Sequence, residues 1–191
     1  MKKYLLKIFS DFDGTISKND VWINSIGKFI SDKKKFDSIL EDFYSQKIGT
    51  REVSKRQLEL VSNFTIEEFN KCLDEEEIDD YFKEFVSYCR ENEFEVKVLS
   101  SGLEYYIDYI LKREGLKLEY YGSKLIVDEI NKKISCEYEY TDEYCKSCET
   151  CKRNILINNT NDFENEISVY IGDGVSDYCV CLLYTSPSPR D

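Results

Sequence analysis

The sequence predicts an α/β protein: a parallel sheet flanked by helices, with a helical cap inserted behind the first strand. Three observations predict it. Short apolar runs at Tyr4–Ser10, Phe94–Leu99 and Ile167–Ile171 each stop at a polar or glycine-bearing turn, the pattern of buried parallel strands. Segments with apolar residues three and four apart lie between these runs, so strands alternate with helices and imply right-handed crossovers. The largely helical stretch 16–93 is far too long for one crossover and is expected to cover the carboxyl end of the first strand.

The elements follow in order. Tyr4–Ser10 ends at Asp11, and Gly14-Thr15 breaks the run. Within the insert, Trp22, Ile26, Phe29 and Ile30 share one helical face. Thr65, with Glu68 three residues on, is the expected N-cap of a further helix. Ile78–Cys89 continues the helical pattern through Tyr81, Phe82, Phe85 and Val86. Phe94–Leu99 is stopped by Ser100-Ser101-Gly102. Leu103–Arg113 is amphipathic, and Gly115 ends it. Leu116–Tyr140 alternates like a strand and a hairpin turning at Asn131-Lys132. A short helix is expected over Lys152–Ile157 before the last strand. The expected division is a Rossmann-like core over 1–16 and 79–180 with a cap over 17–78.

Composition bounds the function. The chain has 191 residues, 26 basic and 38 acidic side chains, a net charge of −12 and no His. An acidic protein is a poor partner for a nucleic-acid backbone. An anionic substrate would need local cations or a metal to overcome that field. Without His there is no His-based triad and no His metal site. The 15 Tyr and 11 Phe can fill a real core. No run approaches the roughly 20 apolar residues of a membrane helix. The basic start leads into acidic residues without a cleavage site, so a cytoplasmic protein with no membrane partner is expected. The oligomeric state is left open.

The polar residues at the strand ends carry the chemistry. Asp11 and Asp13 follow the first strand, Ser100 the second, Asp173 and Asp177 the third. Open parallel sheets bind ligands outside the carboxyl ends of their strands. A single Asp-Gly pair is an ordinary turn. Two such pairs, in DFDGT and GDGVSD, each directly behind an apolar strand, point instead to one shared crevice.

These residues resemble the haloacid dehalogenase (HAD) superfamily of phosphatases. Asp11-Phe12-Asp13-Gly14-Thr15 matches its first motif, Val98-Leu99-Ser100-Ser101-Gly102 the second, Lys152 the third and Gly172-Asp173-Gly174-Val175-Ser176-Asp177 the fourth. The insert resembles the cap of the phosphoserine-phosphatase-like branch (HAD-IB). The resemblance implies the HAD fold and magnesium-dependent hydrolysis of a small phosphomonoester through an aspartyl-phosphate. It implies Asp11 as nucleophile and Asp13 as acid and base. Asp11, Asp13 (through its backbone carbonyl), Asp173 and Asp177 would hold Mg2+, whose charge offsets that of a dianionic ester. Ser100, Ser101, Gly102 and Lys152 would hold the phosphoryl oxygens. Asp20 and Arg51 match positions that could face the substrate. Each also has a plain alternative, as a helix-start Asp and a surface charge, while Trp22 is expected in the cap core.

Cys145, Cys148 and Cys151, with Cys136 upstream, offer a competing reading as a zinc knuckle or iron–sulfur fragment. Two-residue gaps leave little chain between successive ligands of one tetrahedral ion. The same C-x2-C-x2-C-K stretch, with Asp177-Tyr178-Cys179, resembles methionine-salvage enolase-phosphate phosphatases and phosphoethanolamine/phosphocholine phosphatases. Candidate substrates are therefore phosphoserine, phosphoethanolamine or phosphocholine, and the methylthiopentenyl phosphate of methionine salvage. A phosphotransferase or phosphomutase on the same fold, and a non-enzymatic zinc-binding module, are the alternatives. A reducing cytosol argues against disulfides, and Cys72 and Cys89 fit as small core residues.

Residues 181–191 stand apart. Both prolines, Pro187 and Pro189, fall there, in a chain with no Ala and an AT-rich residue usage. Cys181–Asp191 reads as a translated sequencing adapter rather than native sequence. The expectation is a fragment whose natural C-terminal part is truncated, leaving an exposed sheet edge beside Ile167–Ile171.

Overall fold

The computed structural model describes residues 4–162 and 164–183. One five-stranded sheet organises them: β1 (Leu5–Ser10), β2 (Glu95–Leu103), β3 (Glu119–Asp128), β4 (Lys133–Glu137) and β5 (Glu166–Ile171), in the order β4-β3-β2-β1-β5. β5, β1, β2 and β3 run parallel, and β4 returns antiparallel on β3. The β3–β4 turn lies where alternation predicts it. Lys132 takes φ +52° there, and Asp128 Oδ1 accepts from the backbone N–H groups of Ile130 and Asn131.

The expectation of a buried last strand is corrected. β5 lies at the sheet edge, beside β1. Its residues alternate in burial, with Ile167, Val169 and Ile171 about 40% exposed. A continuous apolar run suits a strand covered on both faces. Here the described residues leave one face of β5 uncovered.

The insert folds as α1 (Val21–Ser25) running into a 3-10 turn at Ile26–Phe29, then α2 (Lys33–Tyr44), α3 (Thr50–Leu60) and α4 (Ile66–Asp74). Side chains cap three of these helices. Asp20 accepts from the Ile23 N–H, Asp32 from Lys35 and Thr65 from Glu68, the Thr65 cap being the expected one. Each such cap satisfies a donor that the first helical turn cannot. Ser17 and Ile78 bridge antiparallel where the chain leaves the first strand's turn and returns to it.

α5 (Phe82–Glu91) and α6 (Glu104–Arg113) follow, and Gly115, at φ +72°, ends α6 as anticipated. α7 (Lys152–Asn159) and the short α8 (Tyr178–Cys181) complete the described elements. The main apolar cluster runs unbroken from the insert into the sheet layer, through Val21, Ile26, Leu58 and Phe69 to Phe12, Val98 and Ile107. Burying a Leu or Phe side chain of this kind contributes about 1.5–3 kcal/mol. A smaller cluster, Phe9, Leu99, Ile155, Leu156 and Val180, packs α7 and α8 against the sheet. Cys72 and Cys89 are buried free thiols. Among the described residues no helix is long and apolar enough to cross a membrane. Of the anomalous tail, Cys181 closes α8, and residues 184–191 lie outside the described residues.

Candidate active site

The loop behind β1 is wound tightly. The Phe12 carbonyl accepts from the N–H groups of Ile16 and Ser17 and from the Ser17 hydroxyl. Gly14 takes φ +74°, and a Cβ there would lie 2.6 Å from Asp173 Oδ2. Only glycine lets the first loop come this close to the loop after β5. The close approach brings Asp11 and Asp173 together.

Asp11 is buried and its Oδ1 accepts from the Phe12 N–H at 2.8 Å. The same oxygen lies 2.8 Å from Lys152 Nζ, which lies 2.7 Å from Asp177 Oδ1. Lys152, first residue of α7, is thus a buried ammonium between two buried carboxylates. Burial by itself would lower the Lys152 pKa, but the two carboxylates raise it, so the cation persists. Burial pushes Asp177 up, and the ammonium more than reverses this, leaving Asp177 below the usual carboxylate range. Tyr170 OH and the Gly174 N–H also donate to Asp177. Asp11 has burial against it, with Asp177 and Asp13 adding to the push, and rises to about 7 despite Lys152.

Asp13 is held differently. Its Oδ1 accepts from the Val21 N–H at 3.0 Å, while Oδ2 accepts from Ser100 Oγ at 3.1 Å and Tyr106 OH at 2.7 Å. Burial pushes it up to about 7 and the nearby Asp20 adds to this, outweighing the three donors. A carboxyl poised near neutrality can both release and take up a proton at working pH.

The donor set suits a hard divalent cation. Asp11, Asp173 and Asp177 each offer an oxygen, and these lie within 4.8 Å of one another. Three carboxylates against one ammonium leave an excess of negative charge that a dication would neutralise. The cysteines do not form the corresponding group: among the described residues the three-ligand cluster is the aspartate one. Cys145, Cys148 and Cys151 are free thiols, and burial, with Cys179, Cys145 and Cys151 nearby, pushes Cys148 up to about 11.

A cavity of about 400 Å3 opens between this loop cluster and the cap. Asp11, Asp13, Asp20, Ser101, Gly102 and Asp173 line it. Ser100, Lys152 and Asp177 are not in that lining: Ser100 bonds Asp13, Lys152 pairs with Asp11, and Asp177 pairs with Lys152. Asp20 caps α1 and also faces the cavity, where the surrounding protein pushes its carboxyl up. Arg51 is not brought to the cavity. Its Nε and Nη2 donate to the Cys148 carbonyl at 3.1 and 2.8 Å, and the guanidinium lies over the Tyr138 ring. That cap arginine therefore clamps the cysteine segment. Trp22 belongs to the cavity wall as well as the cap core, and its indole N–H donates to Gln57 Oε1.

Three site residues escape a reading of motifs. Tyr106 lies on the buried face of α6, where its spacing looks like core. Tyr170 sits in an alternating strand, and Glu149 lies inside the cysteine-rich stretch. In each case the signal is a polar end on a residue whose position suggests only packing.

Known proteins resemble this chain in sequence and in fold. Residues 8–181 match the model of the haloacid dehalogenase-like hydrolase family. The chain is 29% identical over 182 residues to a 2-hydroxy-3-keto-5-methylthiopentenyl-1-phosphate phosphatase of Brevibacillus brevis, covering 90% of this chain and 77% of that one. A protein of the same name from Bacillus thuringiensis subsp. konkukian is 26% identical over 177 residues, with the same coverage. Among solved structures, a phospho-aspartyl intermediate analogue of phosphoserine phosphatase superposes with a TM-score of 0.68 at 21% identity, covering 93% of this chain and 81% of that one. A phosphoserine phosphohydrolase-like protein from Francisella tularensis gives 0.67 at 20% identity, covering 96% and 83%. These last two are likenesses of fold. A family match over nearly the whole chain, on a sheet of this order with the four aspartate positions at its strand ends, has one consequence: the chain belongs to the haloacid dehalogenase-like hydrolases.

Proposed function

We propose that the protein hydrolyses a small phosphomonoester, with Asp11 as nucleophile and Asp13 as proton donor and acceptor. The observation that carries this reading is the meeting of Asp11, Asp13 and Asp173 at one cavity mouth, with Lys152 pairing Asp11 and Asp177.

An Asp11 carboxylate oxygen attacks phosphorus, the bond to the ester oxygen breaks, and Asp13 gives its proton to the departing alkoxide. Asp13 then takes a proton from water as that water attacks the aspartyl-phosphate. Inorganic phosphate leaves and Asp11 is restored. Tyr106, Ser100 and the Val21 N–H fix the Asp13 carboxyl while it exchanges the proton. Ser101 and Gly102 line the cavity, where they would hold the phosphoryl oxygens. Lys152 offsets charge on Asp11 and Asp177. The carboxylates of Asp11, Asp173 and Asp177, with the Asp13 carbonyl, would hold Mg2+, which when bound neutralises the substrate's dianion.

The division into a core (1–16 and 79–180) and a cap (17–78) belongs to the same proposal, supported by the Ser17–Ile78 bridge at the neck. A cytoplasmic setting and a small-molecule partner complete it. A panel of phosphomonoesters assayed with and without Mg2+ tests the reading. Turnover that needs Mg2+ and vanishes in Asp11→Asn is the expected result, and metal-independent turnover surviving Asp11→Asn overturns it.

A further inference from the structure

Asp11 and Asp177, the two buried carboxylates of the aspartate group, are held alike. Asp11 Oδ1 takes the Phe12 N–H and Lys152 Nζ, each at 2.8 Å. Asp177 Oδ1 accepts from Lys152 Nζ at 2.7 Å and from Tyr170 OH at 2.5 Å. A carboxylate oxygen has two lone pairs, so one oxygen on each carboxylate is fully occupied. Asp177 Oδ2 accepts from the Gly174 N–H at 3.1 Å, which among the described residues leaves it one lone pair.

We infer that Tyr170 is a positioning residue of this site: with Lys152 it holds Asp177 Oδ1, limits Asp177 to one oxygen for a cation, and thereby selects a small divalent ion over a large one. This rests on the metal-dependent phosphatase reading above and names the residue that sets its cation selectivity.

The backbone builds the contact. Tyr170 of β5 pairs in register with Phe9 of β1, and the Asp11 N–H donates to the Ile171 carbonyl at 2.8 Å. The Tyr170 ring packs against the cluster of Phe9, Leu99 and Leu156, so its hydroxyl projects from a fixed origin. Gly172 lets the chain fold back on that ring: a Cβ there would collide with Asp177 Oδ2 and lie 2.9 Å from Tyr170 Cε1. The ring would pack as well without its hydroxyl, so the hydroxyl's use is the bond to Asp177. The consequence for a cation follows from size. Ca2+ takes about six to eight oxygens and can use both oxygens of one carboxylate, whereas the smaller Mg2+ takes an octahedral shell and keeps several waters. With Oδ1 occupied on both Asp11 and Asp177, the buried side of the group offers one oxygen apiece. That suits the small ion and starves the large one. On Asp11 the second donor is a backbone N–H, which no change of side chain at Phe12 removes. On Asp177 it is the Tyr170 hydroxyl, and losing it frees a lone pair on Oδ1.

The test titrates Mg2+ and Ca2+ separately into the full chain, stripped of metal with EDTA, by calorimetry and by the rise in Tm. Wild type is expected to bind Mg2+ more tightly than Ca2+. Tyr170→Phe keeps the packed ring, and Tyr170→Leu is a second variant without the donor. Both are expected to narrow the preference by about tenfold, chiefly by tightening Ca2+, the scale of one hydrogen bond to a charged group. Asp173→Asn is expected to weaken both ions, which ties the binding to this group. Equal affinity of wild type for the two ions overturns the inference. So does an unchanged preference in whichever variant folds, a parallel loss of both ions there, or binding undiminished in Asp173→Asn. Each of these leaves the phosphatase reading standing where wild type shows Mg2+-dependent turnover that Asp11→Asn abolishes. Turnover indifferent to Mg2+ overturns that reading and this inference with it.

Discussion

The Tyr106 hydroxyl donates a 2.7 Å hydrogen bond to Asp13 Oδ2 from the fully buried face of α6. The bond favours the ionised carboxyl and opposes the burial that raises its pKa. Tyr106→Phe removes it and leaves the ring in place. Hydrogen bonds to charged groups contribute about 1.5–3 kcal/mol. The limb of the pH–rate profile that belongs to Asp13 should move upward by about 1–2 pH units. A profile superimposable on wild type would detach Tyr106 from the proton transfer.

Gly102 makes room for that bond. A Cβ at this position would lie 1.4 Å from the Tyr106 hydroxyl oxygen. Gly102→Ala must displace the tyrosine from a fully packed site, and overpacking of this kind costs about 1–3 kcal/mol. Urea unfolding should show that loss, with reduced turnover beside it. The double variant with Tyr106→Phe should recover part of the stability but not the activity.

Lys152 separates two buried carboxylates. Lys152→Met fills similar space without the charge, leaving Asp11 and Asp177 facing each other in a dry setting. Removing one member of a buried ionic group costs about 3–5 kcal/mol. The chemical-denaturation midpoint should fall accordingly. Saturating Mg2+ should restore part of the loss, because a dication supplies the missing positive charge at the same oxygens.

Mg2+ itself should stabilise the fold through the same three carboxylates. A ligand at about a hundred times its Kd adds about 2.7 kcal/mol. Thermal melts across an MgCl2 titration should show a rising Tm in wild type. In Asp173→Asn, which removes the most exposed of the three ligands, the rise should be much smaller. An equal rise in both proteins would place the ion elsewhere.

Stability without divalent cations should fall as the pH rises. Burial lifts Asp13 from its ordinary 3.8 to about 7 and Glu149 from 4.5 to about 8. The folded state therefore holds these protons more tightly than the unfolded chain, and their favourable contribution is complete below about pH 4. It is lost progressively as the pH passes through 7 and 8. Metal-free Tm values between pH 5 and 8 should decline, and Glu149→Gln should flatten the decline. A Tm that climbs over this range would contradict the burial of both carboxyls.

Much of the fold could be read from particular residues. The apolar runs behind Asp11, Ser100 and Asp173 marked three strands, Thr65 marked a helix start, Gly115 a helix end and Asn131-Lys132 a hairpin. These signals are local, set by backbone sterics and side-chain period. That β5 leaves one face uncovered was not legible, because its continuous apolar run reads like a strand buried on both faces, although its place beside an exposed edge was expected. Arg51 illustrates the same limit in the site. Its resemblance to a cap arginine suggested a substrate contact, with a surface charge as the alternative, but its partner, the Cys148 carbonyl, lies 97 residues away in sequence.

By itself, the sequence determined the class of architecture and the chemical identity of the aspartates at the strand ends, since both are written in short motifs and in the spacing of apolar residues. Only the tertiary structure decided which polar groups meet: Tyr106 against Asp13, Lys152 between Asp11 and Asp177, and Gln57 Oε1 against the Trp22 indole. The reason is physical. Burial and hydrogen-bond satisfaction belong to pairs of groups brought together by long-range packing, and no single segment of chain encodes its own partner.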